Sequence, residues 1–460
     1  MTMTDPRNAA IQYAHDQRAR FLAELKDFCT IPSISTDPTV KPEMQRAAEW
    51  VADQLRSLGL QNVQVFPTAG HPVVYAESLG APGKPTLLIY GHYDVQPPDP
   101  LDLWKSGPFE PDERGEHLFA RGVTDMKGQV LAAIKAVESI IRTSELPINV
   151  KFLIEGEEEI GSPSLDAFLD RNRELLACDL VLNPDAGILG PDTPTIAYGL
   201  RGLAYFELRV YGPDHDLHSG VFGGAVHNPA QALCELIAGM HDDQGRITLP
   251  GFYDAVCPLD AEERAELARL PTTEASVLTQ TGAPAVWGEA GYTTVERMGA
   301  RPTLEVHGLL SGFTGPGTKT VLPAWAMAKI SCRLVPDQDP EEVYQQFVSY
   351  LKTHAPATIR WEVTKYTGSS RASISARSSS GIQAYSQAME TVWGKRPVFK
   401  REGGSVPVVA QFKKYLGVES INTGFSMPGD NMHSPNEMLH LPTLWKGLDA
   451  FIHFFYNLAE

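Results

Sequence analysis

The chain has 460 residues, of which 43% are hydrophobic and 21% are charged, and its formal net charge is −17. This length exceeds what one ordinary hydrophobic core serves, so we expect two or three domains. The composition is typical of a soluble globular enzyme, and the acidic balance argues against a nucleic-acid partner, which needs a basic patch.

Cysteine usage and the N-terminal sequence indicate the compartment. The five cysteines are odd in number, scattered and without a C-x-x-C pair, which favours free thiols in a reducing environment. The opening stretch "MTMTDPRNAAIQYAHDQRARF" lacks the apolar segment of a secretory signal. No run of 18 apolar residues occurs. We therefore expect a cytoplasmic protein without a membrane partner.

Helical and strand patterns alternate in the first part of the chain. In order, the predicted elements are helices 9–28 and 43–59, strands 63–66, 73–77 and 86–90, helix 127–142, strand 148–155, helix 164–173 and strand 179–183. Such alternation predicts an α/β fold with a mixed, mostly parallel sheet that carries helices on both faces.

The pattern changes after residue 197. Residues 195–212 alternate like antiparallel strands, and residues 241–320 are rich in Gly, Pro and Thr, which predicts loops. The later predictions are strand 324–336, helix 340–354, strand 358–366, a Ser-rich connector 367–381 and helix 443–459. We expect an α/β domain made of residues 1–197 and 379–460, interrupted by an inserted α+β domain at 198–378.

Acidic and histidine side chains follow several of the predicted strands. They are His92 and Asp94 after "LLIYG", Asp125 just before a helix, Glu157, Glu158 and Glu159 after "VKFLIEG", Asp185 after "DLVLNP", and His433 in a distant loop. Each alone has an ordinary explanation, such as a helix cap, a solvated surface or a loop histidine. Together they would converge, because the carboxyl ends of parallel strands meet at one edge of a sheet.

This set of side chains suits metal ions. Histidine nitrogens and carboxylate oxygens bind zinc and other first-row dications. Two metals that share a bridging carboxylate would use most of such a cluster and leave one glutamate over as a base. The residues therefore predict a metal site at the edge of the sheet.

Six motifs carry a resemblance to a known family. They are "GHYDVQP", "ARGVTDMKG", "EGEEEIGS", "DLHSGVFGG", "SCRLVPD" and "REGGSVPV". In this order they resemble the di-metal amidohydrolases and metallopeptidases, which include carnosinase-type dipeptidases, succinyl-diaminopimelate desuccinylase, aminoacylases and carboxypeptidase G-type enzymes. "DLHSGVFGG" and "REGGSVPV" are most similar to the carnosinase-type dipeptidases.

The resemblance implies two divalent metal ions per chain, with zinc expected and manganese or cobalt as alternatives. Its implied ligands are His92 and Asp185 for one metal, Glu159 and His433 for the other, and Asp125 as a bridge to both. Glu158 would be the general base, and Asp94 would orient His92. Because three glutamates are consecutive, a shift of one position would instead select Glu157 as the base and Glu158 as the ligand.

The resemblance also implies roles for residues outside the metal motifs. His218 would reach the active site of the partner subunit in a homodimer formed through residues 198–378, and would stabilise an oxyanion. The substrate-binding residues implied are Arg333 as the clamp for a carboxylate, Gly404 and Ser405 as small donors beside it, and Thr320 from the second subunit.

The activity implied is metal-dependent hydrolysis of amide bonds in short peptides, above all dipeptides with a free C-terminal carboxylate. One departure leaves an alternative open. Carnosinase-type relatives tend to carry a histidine in the stretch that here reads "YTGSSR" (366–371). A deacylase of N-acyl or N-succinyl amino acids would share the chemistry, and a catalytically silent binding module would share only the fold.

Overall fold

The computed structural model describes residues 5–366, 368–404 and 407–460. The chain forms two compact units, one of Met1–Tyr198, Ser375–Phe399 and Val408–Glu460, the other of Gly199–Ile374 and Lys400–Pro407. Residues 400–407 were expected in the first domain but cluster with the second unit. There the backbone N–H of Arg201 donates to the Glu402 carbonyl at 3.2 Å.

Helices and strands are numbered in chain order. The helices are α1 (Pro6–Asp16), α2 (Arg18–Cys29), α3 (Lys41–Ser57), α4 (Gly128–Ile141), α5 (Leu165–Arg171), α6 (Arg173–Leu176), α7 (Ser219–Phe222), α8 (Pro229–Ala238), α9 (Ala261–Leu267), α10 (Glu274–Thr281), α11 (Thr294–Gly299), α12 (Pro340–His354), α13 (Ser380–Trp393), α14 (Pro407–Leu416) and α15 (Leu441–Ala459).

The strands are β1 (Gln61–Phe66), β2 (Val73–Ser78), β3 (Thr86–His92), β4 (Asp112–Arg114), β5 (His117–Phe119), β6 (Asn149–Glu155), β7 (Leu180–Asn183), β8 (Thr195–Leu200), β9 (Gly202–Tyr211), β10 (Leu217–His218), β11 (Thr303–Ser311), β12 (Val321–Leu322), β13 (Trp325–Leu334), β14 (Arg360–Lys365), β15 (Ser373–Ile374), β16 (Val398–Glu402), β17 (Ser420–Asn422) and β18 (Met438–His440).

A mixed sheet organises the first unit, in the order β1-β2-β6-β3-β7-β17-β8. Its centre is parallel, because β3 pairs in parallel with β6 and β7, and β17 pairs in parallel with β7. Antiparallel strands lie on either side of this centre. The expected α/β class with a mixed sheet and helices on both faces is confirmed, and the parallel pairing is confined to the centre of the sheet.

Strand β3 is buried on both faces of the sheet, which accounts for its nearly continuous apolar sequence. Leu87 and Ile89 pack into the core that includes α4, α13 and α15. Tyr90 points to the other face, where its ring meets Phe412 of α14 edge-on, 5.4 Å between centroids. Successive side chains alternate between faces, so a near-continuous apolar strand is the form that a sheet covered on both sides requires.

The second unit contains an antiparallel sheet in the order β11-β13-β9-β14. Alternate residues of β9, such as Phe206 and Leu208, join the core formed with α8 and α12. The intervening residues of β9 therefore lie on the face that these helices do not cover. A separate two-stranded ribbon pairs His218 of β10 with Val321 of β12.

Two element predictions were wrong. The expected helix 9–28 breaks at Gln17 into α1 and α2, because that residue has φ −98° and ψ 3°. The expected loop region 241–320 contains short helices and the nine-residue strand β11. Only Leu304 and Val306 of this edge strand pack against the core, so its apolar pattern is too short to stand out among the surrounding turn residues.

No helix of the described residues has both the length and the apolar character needed to cross a membrane. All five cysteines are free thiols, and Cys29 and Cys332 are buried.

Candidate metal centre and active site

Parallel pairing brings the ends of three strands to one edge of the first unit's sheet. His92 is the last residue of β3, Glu158 and Glu159 follow β6, and Asp185 follows β7. The apolar strands end here because the next residues carry polar groups that cannot be buried without partners. Four of the predicted site residues therefore lie near one another through sheet topology.

Asp125 joins the two predicted ligand sets. It precedes α4, and its Oδ1 lies 3.2 Å from Nε2 of His92 while its Oδ2 lies 2.9 Å from Nε2 of His433. Burial alone would raise the pKa of Asp125, but hydrogen bonds to His433 and His92 hold that pKa below its usual range. One carboxylate thus faces two histidines, one with each of its oxygens.

Asp185 and Glu159 complete the two groups. Asp185 Oδ1 lies 3.8 Å from Nε2 of His92, and Glu159 Oε2 lies 3.2 Å from Nε2 of His433. Burial raises the pKa of Asp185 to about 6. Hydrogen bonds to Asp125 and Glu159 raise the pKa of His433 to about 10.

These residues fit a pair of metal ions. Within each group, His92–Asp125–Asp185 and Asp125–Glu159–His433, one ligand atom per residue lies within 4.8 Å of the others. Several carboxylates this close and this buried repel one another, which cations would relieve. The nitrogen and oxygen donors suit zinc, manganese or cobalt.

Asp94 does more than was expected of it. Its carboxylate lies 3.4 Å from Nδ1 of His92, but the hydrogen-bond partner of that nitrogen is the Asp94 backbone carbonyl at 3.0 Å. The carboxylate accepts the backbone N–H groups of Glu158 and Glu159 at 3.2 and 3.1 Å. Asp94 therefore holds the loop that presents both glutamates.

The three consecutive glutamates have different surroundings. The buried carboxylate of Glu157 accepts the backbone N–H groups of His71 and Ser164 at 2.9 and 3.0 Å. The pKa of Glu158 is well above its usual value, chiefly because the side chain is buried. The negative charges of Asp185, Glu159 and Asp125 also raise this pKa, and the nearby His92 lowers it. The carboxylate of Glu157 therefore accepts hydrogen bonds from backbone N–H groups, while the pKa of Glu158 is set partly by the charges of the cluster.

Two residues near the cluster were missed by the sequence analysis. Gln96 donates from Nε2 to Glu159 Oε2 at 2.8 Å. Glu437 accepts the backbone N–H of Asp125 at 3.1 Å and pairs with buried Arg121 at 2.8 Å. Gln96 lies within the quoted motif "GHYDVQP" and Glu437 four residues after His433, so proximity to the ligands in sequence was the available signal.

His218 and Thr320 lie in the second unit, where His218 ends β10 and Thr320 immediately precedes β12, the other strand of the two-stranded ribbon. The backbone N–H of Ser219, which follows His218, donates to the Thr320 carbonyl at 3.1 Å. Nδ1 of the exposed His218 accepts the backbone N–H of Gly220 at 2.9 Å. In the neutral ring the proton is then on Nε2, so this nitrogen is a donor.

Arg333 and Gly404 also belong to the second unit. Arg333 lies on β13, and burial lowers the pKa of its guanidinium. Gly404 is exposed, and Ser405 lies outside the described residues. Arg201, in the stretch "GLRG", was not singled out from the sequence. Its Nε donates to the Gly403 carbonyl at 3.0 Å, which links the 403–404 stretch to the start of β9.

The fold and the donor set define a class of protein, a mixed α/β domain that carries at one edge of its sheet two groups of side chains suited to binding divalent cations. The model of peptidase family M20/M25/M40 matches residues 88–457. The chain therefore belongs to peptidase family M20/M25/M40, and the resemblance read from its motifs is confirmed.

Relatives and solved structures of this family align along nearly the whole chain. The Cys-Gly metallodipeptidase DUG1 of Candida albicans is 31% identical over 95% of this chain and 95% of its own length. The Beta-Ala-His dipeptidase of Homo sapiens is 31% identical over 98% of this chain and 92% of its own length. The crystal structure of human carnosine dipeptidase 1 matches with a TM-score of 0.79 at 30% identity and covers 99% of both chains.

Proposed function

We propose that this protein is a metallodipeptidase that hydrolyses dipeptides with a free C-terminal carboxylate. The observation that carries the proposal is the position of Asp125 between His92 and His433, with an oxygen toward each. The relatives aligned above are named as dipeptidases, which supports this activity. Their family is a peptidase family.

The metal-binding groups would hold two divalent cations, one with His92, Asp125 and Asp185, the other with Asp125, Glu159 and His433. Such cations, when bound, supply Lewis-acid polarisation and make water more acidic. We propose zinc, with manganese or cobalt as alternatives, because all three accept nitrogen and oxygen ligands. Asp94, Gln96 and Glu437 position these ligands through the hydrogen bonds described above.

Glu158 is the proposed general base. Its raised pKa suits a group that must take a proton from water and then deliver it to the leaving amine. The alternative register is disfavoured, because Glu157 already accepts two backbone N–H groups. Glu159 meets His433 and Gln96, as a ligand and its orienting partner would.

His218 is the proposed donor to the oxyanion. The hydrogen bond from Gly220 to Nδ1 orients the ring and leaves the Nε2 proton available. Preorganised donors of this kind contribute about 3–4 kcal/mol to the stabilisation of a tetrahedral oxyanion. We propose that His218 serves the site of the partner subunit, as the family resemblance implies.

The second unit offers a surface for that partner. Strand β11 is an edge of its sheet, and Leu309, Leu310 and Phe313 are 57%, 45% and 45% exposed. An exposed edge strand with apolar neighbours is suited to pairing with another chain. These features support a homodimer through residues 198–378.

The substrate's free carboxylate would bind Arg333, whose planar guanidinium can hold it with two hydrogen bonds. We propose Gly404 and Ser405 as neighbouring donors and Thr320 as a contact from the second subunit. A carboxylate bound at a fixed place sets the distance between the substrate's C-terminus and the bond that is hydrolysed, so peptides of one length are selected. Dipeptides are therefore favoured over longer chains.

A substrate panel tests the proposal. Metal-loaded protein should hydrolyse free dipeptides with a kcat/KM that exceeds its values for N-acetyl and N-succinyl amino acids. Strong turnover of the acylated amino acids without dipeptide hydrolysis would establish the deacylase instead. Bound metal with no turnover of either class would indicate a binding module. The cytoplasmic location stays a prediction.

A further inference from the structure

A cavity of about 420 Å³ lies in the second unit beside Arg333. This volume is within the ~300–1,000 Å³ that small-molecule sites commonly have. Its charged lining consists of Arg201, Arg297, Arg301, Arg333, Glu289 and Glu305. If Arg333 anchors the substrate's carboxylate as proposed, the cavity would adjoin the substrate's C-terminal residue.

The pairing of β11 with β13 explains which side chains share this space. Thr303 lies opposite Arg333, and Glu305 points to the same face as Thr303 because side chains alternate along a strand. Cys332 and Leu304, on the opposite face, belong to the core packed against α8 and α12. Arg333 and Glu305 therefore project from the face that these helices do not cover.

The cavity is positively charged. Four arginines against two glutamates leave a formal charge of +2. Glu289 is already engaged by Arg301, with contacts of 2.7 and 2.9 Å, and by Arg246 at 3.0 Å. Within the described lining, Glu305 is the remaining carboxylate.

Two of the arginines are bound to carbonyl groups. Arg297 donates from Nε to the Glu289 carbonyl at 2.9 Å. Arg201 donates from Nε to the Gly403 carbonyl at 3.0 Å and from Nη1 to the backbone carbonyl of Arg301 at 3.3 Å. Burial, together with the charge of Arg333, lowers the pKa of Arg201 to about 10. Neighbouring guanidinium groups repel each other, and an anion between them would be stabilised.

We propose, on the basis of the proposed function, that this cavity is the subsite for the side chain of the substrate's C-terminal residue, and that it favours an acidic side chain. Arg333 holds the α-carboxylate, while Arg201 and Arg297 attract the side-chain carboxylate. Glu305 opposes this preference and limits it. The cavity would recognise a carboxylate group. A free inorganic anion is the alternative ligand with the same charge.

Specificity measurements on metal-loaded protein test the subsite. The ratio of kcat/KM for Ala-Glu to that for Ala-Gln should be about tenfold, the effect of one hydrogen bond to a charged group. Arg297→Gln should lower this ratio several-fold, and Glu305→Gln should raise it. Arg209→Gln is the matched control, since Arg209 on β9 pairs with Glu207 and should leave the ratio unchanged. A folding defect cannot produce opposite changes in the two cavity variants.

Calorimetry with L-glutamate and L-glutamine separates the subsite from the proposed function. Tighter binding of glutamate that weakens in Arg297→Gln supports the subsite even if no dipeptide is hydrolysed, whereas that absence of hydrolysis would refute the proposed activity. Equal kcat/KM values for Ala-Glu and Ala-Gln, or a preference for Ala-Lys, would overturn the acidic preference. Binding of inorganic phosphate that depends on Arg297, without preference for Ala-Glu, would also overturn it and identify a free-anion site.

Discussion

The carboxylate of Glu437 accepts the backbone N–H of Asp125, a residue 312 positions earlier in the chain, at 3.1 Å. The same carboxylate accepts the N–H groups of Gly122 and Thr124 at 2.8 and 3.0 Å. Three backbone donors and the Arg121 guanidinium thus share one buried acid. This arrangement fixes the loop that carries the proposed bridging ligand.

Glu437→Gln should weaken metal binding about 10–100-fold, the usual effect of losing a group that orients a ligand. An amide supplies one acceptor oxygen in place of two and leaves Arg121 without its counter-charge. Metal affinity would be measured by titration against a chelator. Glu113→Gln, a change at a strand residue outside the cluster, is the control. An unchanged affinity in Glu437→Gln would show that the loop holds Asp125 without this contact.

Metal content should follow the two ligand groups. We expect close to two equivalents of metal per chain in the unaltered protein, about one in His433→Ala and a severe loss of both in Asp125→Asn, because Asp125 belongs to both groups. Elemental analysis after removal of free metal checks this. One equivalent in the unaltered, fully active protein would contradict the two-metal site.

Glu158→Gln should retain both metals and lose on the order of 10²–10⁴ in kcat, as removal of a general base does. Glu157→Gln should mainly lower stability, because one carboxylate oxygen that accepts a backbone N–H becomes an amide nitrogen. Metal analysis and steady-state kinetics on both variants, with urea unfolding for the second, make the comparison. If Glu157→Gln instead had the large kcat loss, the register of the glutamates would be wrong.

Mixing two inactive variants tests the role of His218 across subunits. His218→Ala and Glu158→Gln dimers, after subunit exchange, should regain part of the activity, because each mixed dimer would contain one complete site. Exchange is verified with subunits of different mass, and each variant incubated alone is the control. Absence of recovery despite exchange would mean that His218 acts on its own chain or has no catalytic role.

Amidation of the substrate's C-terminus should lower kcat/KM roughly 10–150-fold, the equivalent of ~1.5–3 kcal/mol for hydrogen bonds to a charged group. Arg333→Ala should show a similar loss with the free dipeptide and little further loss with the amide. Kinetics with matched free and amidated dipeptides measure both effects. Equal rates for the two substrates in the unaltered enzyme would refute the Arg333 anchor.

Much of the first unit could be predicted from local patterns. Apolar runs such as 86–90 and 180–182 are followed by polar residues. The ligand candidates His92 and Asp185 are among these polar residues at the ends of β3 and β7. Short-range periodicity is enough to place such groups at the ends of strands, and parallel pairing then brings the ends together. Strand β11 was not predicted, because few of its residues are buried and its apolar pattern is weak.

By itself, the sequence determined the alternation of strands and helices in the first unit, the family resemblance and the candidate ligands, because these depend on periodicity and on motifs a few residues long. Only the tertiary structure decided which hydrogen-bond donors each of these carboxylates accepts. Glu157 accepts the backbone N–H groups of His71 and Ser164. Asp94 accepts the N–H of Glu158, and Glu437 accepts the N–H of Asp125. The physical reason is that a buried carboxylate takes whichever donors the fold brings to it, and the donors described above lie from 7 to 312 residues away in the sequence.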